Sequence, residues 1–67
     1  MEKIKERMLE GEILEFQDAE ENHIILFLGF QKRFCLQFNG KVISSTKGFE
    51  PLQKRLDRIE GLEELTW

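Results

Sequence analysis

Two residues of this 67-residue chain, Cys35 and His23, carry the chemistry for covalent catalysis, and each is the only one of its type. A thiolate activated by an imidazole needs the two side chains in hydrogen-bond contact. The apolar alternation described below sets Cys35 opposite Phe27, four positions from His23, or about 13 Å along a sheet at ~3.3 Å per residue. A dyad is not expected. Cys35 reads instead as a small buried or half-buried thiol and His23 as the first residue of a strand. With no other catalytic constellation in the chain, a non-enzymatic protein is expected.

Asp18, Glu20, Glu21, Asn22 and His23 crowd oxygen and nitrogen ligands into one short stretch. Read as a calcium loop starting at Asp18, the stretch places His23 where the turn glycine belongs and Gly29 where the bidentate glutamate belongs. A solvated hairpin turn is the expectation. One cysteine and one histidine fall short of a structural zinc set. Gly11, Gly29, Gly40, Gly48 and Gly61 are too scattered to form a phosphate-cradling loop. No cofactor and no metal are expected.

The remaining chemistry is electrostatic. Lys47, Lys54, Arg55 and Arg58, joined by Lys32, Arg33 and Lys41 at hairpin ends, make the best case for a nucleic-acid surface, with Lys54, Arg55 and Arg58 as the candidate contacts. Against it stand a net charge of −3 and a pI near 5.1, which disfavour a polyanion. Glu50, Asp57 and Glu60 dilute the cluster, and Glu50 to Lys54 has the spacing of a helix-surface ion pair. The outer face of a charged helix is expected, and a small nucleic-acid-binding regulator is the alternative.

The elements that must position these groups follow from periodicity. Glu2 to Glu10 are good helix formers, with Ile4, Met8 and Leu9 on one side and Gly11 as a stop. Two apolar anchors leave such a helix marginal unless it docks. Glu12 to Gln17 reads as a strand, and the stretch from His23 to Phe30 is apolar on both faces of a central strand, which a second turn at Phe30-Gln31-Lys32 follows. Arg33 to Asn39 alternates, Asn39-Gly40 signals a hairpin turn, and Lys41 to Ser45 makes a short fourth strand. Phe49, Leu52, Leu56 and Ile59 form the stripe of a second helix with Pro51 in its first turn. Gly61 ends it, leaving Leu62, Leu65 and Trp67 as an apolar tail.

The expected fold is therefore α+β, a four-stranded antiparallel meander with a short N-terminal helix and a C-terminal amphipathic helix packed on the sheet. Residues 1–67 make one domain. Matching registers puts Phe16 opposite Ile24, Leu26 opposite both Leu14 and Leu36, Ile24 opposite Phe38, Leu28 opposite Phe34 and Leu36 opposite Ile43. These residues form the main core face. The other face carries Ile13, Ile25, Phe27, Cys35 and Val42, a strip that needs a cover. Either the first helix through Ile4 and Met8, or a second copy of the chain, could supply it.

A homodimer with Ile25, Phe27, Ile13, Val42 and Trp67 at the interface is the expectation, since a small domain buries only about 60% of its unfolded surface and this one has no disulfide to stiffen it. The first and fourth strands are the expected sheet edges, with Glu12 and Glu15 discouraging strand addition on the first. The longest apolar run, Ile24 to Leu28, is far below the ~20 residues of a membrane span. A lone cysteine fits a reducing compartment, and the first residues lack a secretory pattern. A cytoplasmic protein-interaction module, non-enzymatic and partnered with itself and an unidentified protein, is the functional expectation.

Overall fold

The computed structural model describes residues 3–65, and its sheet grows from three tight turns. Strand β1 (Leu14–Gln17) pairs antiparallel with β2 (His23–Leu28), setting Leu14 opposite Leu26 and Phe16 opposite Ile24. The turn between them is built on Asp18. Its Oδ1 accepts the backbone N–H groups of Glu20 and Asn22 at 2.9 Å, and its Oδ2 accepts Asn22 Nδ2 at 3.0 Å. The carboxylate that headed the possible ligand set is thus an internal turn clamp. The Asn22 side chain, more than the backbone donors, holds the Asp18 carboxyl below its ordinary pKa.

Strand β3 (Phe34–Phe38) continues the pairing with Ile24 opposite Phe38, Leu26 opposite Leu36 and Leu28 opposite Phe34, the register the alternation predicts. A short 3-10 turn, Phe30–Lys32, links β2 to β3, with Gln31 and Lys32 both left-handed at φ 60° and 59°. A side chain on Gly29 would bring its Cβ within 2.8 Å of Cys35 Sγ. The close approach explains a glycine there.

Strand β4 (Lys41–Thr46) follows the Asn39-Gly40 turn, whose φ values of 52° and 88° are those a two-residue turn between twisted strands requires. Phe38 opposes Lys41 and Gln37 opposes Val42, but Leu36 then opposes Ser44, not Ile43. The expected pairing of Leu36 with Ile43 is corrected by a bulge that leaves Ile43 as the extra residue. Ser44, Ser45 and Thr46 carry no apolar alternation to resist the shift.

Asn39 also joins the two turns at this end of the sheet. Its N–H donates to the His23 carbonyl at 2.7 Å and its Oδ1 accepts the His23 N–H at 2.8 Å. Its Nδ2 donates to Asn22 Oδ1 at 2.9 Å, so a polar relay runs from Asp18 through Asn22 to Asn39.

Two helices pack on the sheet, α1 (Ile4–Leu9) against β2 and α2 (Phe49–Asp57) against β3 and β4. Ile4 and Met8 of α1 and Leu52 and Leu56 of α2 enter one core with Leu14, Phe16, Ile24, Leu26, Phe34 and Leu36. Both helices therefore cover the same face. The first helix does not shield the second face, which corrects one of the two expected covers. Leu9, expected beside Ile4 and Met8, is 52% exposed. The Phe34 and Phe49 rings meet edge to face at 5.5 Å. Helix α2 stops at Asp57, and Ile59 packs on the core from beyond its end.

A fifth strand, β5 (Glu63–Glu64), adds to the expected meander, and the sheet order is β4-β3-β2-β1-β5. It pairs with β1, Glu64 opposite Phe16, and the Leu65 N–H donates to the Glu15 carbonyl at 2.8 Å. The expected free edge at β1 is occupied over this span. Arg7 of α1 clamps the strand through a two-pronged pair, Nη1 to Glu64 Oε1 at 2.8 Å and Nη2 to Oε2 at 2.7 Å.

The hydrogen bonds from Arg7 hold the Glu64 carboxyl below its ordinary value of 4.5. A depressed carboxylate pKa adds stability above the unfolded value and loses it as pH falls through the folded one. The clamp's contribution should begin to fade as pH falls below 4.5, and the clamp should release, with faster exchange of the Leu65 amide, only as pH passes through the lower folded value. Amide exchange across an acid titration checks this. Glu64→Gln should weaken protection at neutral pH and abolish the acid step, and an identical step in that variant would contradict the assignment.

Candidate functional site

With both helices on one side, no helix among the described residues covers the opposite face of the sheet. The residues that face it are set by alternation: Ile25 and Phe27 on β2, Cys35 and Gln37 on β3, and Val42 and Ser45 on β4. Ile25 and Phe27 are half-buried, Val42 is 48% exposed, and Ile13, just before β1, is 69% exposed. Four of the five predicted interface residues thus lie along one side of the sheet. The fifth, Trp67, lies outside the described residues. Phe30, at 86% exposure the most exposed large apolar residue described, stands on the left-handed turn that follows β2. The signal for it was its position beside Gln31-Lys32 at a hairpin tip, where no strand buries a ring.

Cys35 opposes Phe27, as the alternation requires, while His23 opposes Gln17 at the far end of β2. Cys35 is buried, and its Sγ lies 3.6 Å from the Arg33 carbonyl and 3.7 Å from Ser45 Oγ. His23 Nε2 lies 3.2 Å from Glu15 Oε1 across the β1–β2 pair. The two reactive groups are committed to different partners. Among the described residues no three His, Cys, Asp or Glu side chains are placed to share a metal ion.

The helix-covered side carries a second feature. Between α2 and the β3–β4 hairpin runs an open groove of about 530 Å³. Phe38 and Ile43 line it from the sheet, and Pro51 and Ile59 from α2 and the turn beyond it. Lys54, Arg55 and Arg58 stand along the helix side of the groove, all exposed. The structure therefore gathers the three predicted cations at one rim. None forms an ion pair among the described residues, and the expected pair between Glu50 and Lys54 does not form. Ile43 lies on the helix-covered side that the alternation predicts, but it is left 42% exposed at the groove.

A smaller hollow of about 340 Å³ adjoins the groove and shares Phe38, Arg58 and Ile59 with it. Asp18, Glu20 and Glu60 give this end the opposite charge. Comparison with protein-family models, curated proteins and solved structures found no match to this chain.

Proposed function

We propose that this chain is a non-enzymatic protein-interaction module that associates with itself through the helix-free face of its sheet. One observation carries the reading: both helices pack on the same face, so among the described residues no helix covers the strip of Ile13, Ile25, Phe27 and Val42, of which Ile13 and Val42 stay exposed. Two copies related by a two-fold axis would oppose these strips and remove them from water together. The free, buried thiol of Cys35 supports a reducing, cytoplasmic setting for the module.

Size sets the expected strength. Four strands about 4.8 Å apart and about five residues long span roughly 19 by 17 Å. That footprint is below the ~800 Å² per partner of a standard interface, so dissociation in the micromolar range is expected. Light scattering of the purified chain from low to high micromolar concentration should show mass rising toward twice that of one chain, which is 8.0 kDa. Phe27→Glu should hold the mass at one chain, with an unchanged circular-dichroism spectrum, because the residue is half-buried and lies outside the core. A mass of one chain for the unaltered protein throughout that range overturns self-association.

A further inference from the structure

The groove under α2 is not part of the sheet face just discussed, and its chemistry selects a different occupant. Its floor is apolar, with Phe38 and Ile59 half-buried and Ile43 42% exposed. Its rim carries three cations that form no direct ion pair with a carboxylate among the described residues. Lys54 and Arg58 are four residues apart, about one helical turn, with Arg55 beside them. An apolar slot bordered by unpaired positive charge is complementary to a large apolar side chain flanked by carboxylates.

Nucleic acid shares the negative charge but fits the surroundings less well. A phosphate backbone is uniformly anionic, and the adjoining hollow would set it against Asp18, Glu20 and Glu60. Asp18 is already consumed by its turn, whereas Glu20 and Glu60 are exposed and form no ion pair among the described residues. Stacking also needs accessible ring faces, and Phe38, the ring in the floor, is half-buried. The anionic end limits the favourable footprint to a short acidic segment.

We propose that the groove between α2 and the β3–β4 hairpin binds an acidic amphipathic peptide segment of another protein, its apolar side chain seated on Phe38, Ile43 and Ile59 and its carboxylates on Lys54, Arg55 and Arg58. The occupant supplies both the missing counter-charge and the missing cover for Ile43. This site is independent of self-association, and binding should persist in Phe27→Glu.

Fluorescence anisotropy with a labelled peptide of about twelve residues, leucines at helical spacing with glutamates between them, tests the proposal directly. Binding in the micromolar range is expected. It should weaken about tenfold or more when Arg55 and Arg58 are both reversed to Glu, and likewise when the peptide's leucines become serine. Arg55 and Arg58 are exposed, so the doubly reversed chain should keep its spectrum. The milder pair Arg55→Gln and Arg58→Gln gives the same reading if it does not. Equal affinity for a lysine-leucine peptide, indifference to the substitutions, or no binding overturns the proposal. Tighter binding of a labelled oligothymidine of similar length overturns it in favour of a nucleic-acid surface.

Discussion

Phe16→Ala should leave little folded protein at room temperature. Phe16 is 1% exposed and lies in β1, opposite Ile24 on one side and Glu64 on the other. Truncating a buried phenylalanine to alanine costs about 3–5 kcal/mol, part of it lost transfer free energy and part the cavity left behind. A chain of this length has a total stability of roughly 3–10 kcal/mol. The loss is thus comparable with everything that holds the fold. The collapse that would limit a cavity is restricted here, because β1 is held by strands on both flanks and by a helix-covered face. Urea denaturation followed by circular dichroism should show the native baseline shortened or absent. A cooperative transition weakened by less than about 1 kcal/mol would contradict the central place given to this ring.

Gly61→Val should unseat the C-terminal strand while leaving the rest of the sheet in place. Gly61 has φ 69°, and a Cβ there would lie 2.8 Å from Ala19 Cβ and 3.1 Å from the Ala19 Cα and N atoms. A left-handed conformation costs a residue with a side chain about 1–3 kcal/mol. Overlap with packed atoms adds about 1–3 kcal/mol. Ala19 can yield little, because its N–H donates to the Glu60 carbonyl at 3.0 Å and two of the contacted atoms are backbone. Releasing β5 relieves both penalties and gives up only a two-residue ladder, the Leu65 bond and the Arg7 clamp. Hydrogen exchange should show protection lost at the Ala19 and Leu65 amides and retained in β2 and β3. Unchanged protection at both sites would refute the packing argument.

The meander was legible because two independent signals agreed. Leu14, Phe16, Ile24, Leu26, Leu36 and Phe38 alternate so that the β1–β2 and β2–β3 registers keep them on one face, and Asn39-Gly40 fixes the turn that sets Phe38 opposite Lys41. The bulge at Ile43 was not legible, since the residues after it are polar and any register suits them. Glu63-Glu64 could not be read as a strand. Glutamate is a poor strand former, and what places it there is Arg7, far away in sequence.

The side taken by α1 also escaped the sequence. Its two anchors, Ile4 and Met8, suit either face of a sheet whose central strand is apolar on both. The main face wins by offering fully buried neighbours in Leu14, Phe16 and Ile24. At the candidate sites, the identities of the cations and of the strip residues were legible. Their grouping around a groove was not, because it depends on where α2 stops and on how it lies against the β3–β4 hairpin.

The polar relay through Asp18, Asn22 and Asn39 has a mechanical consequence. Sliding β3 by one residue along β2 would carry the Asn39 amide away from both His23 and Asn22, breaking bonds in two hairpins at once. The sheet is therefore latched at this rim against slippage, and whatever compliance it has should gather at the opposite rim, around Phe30.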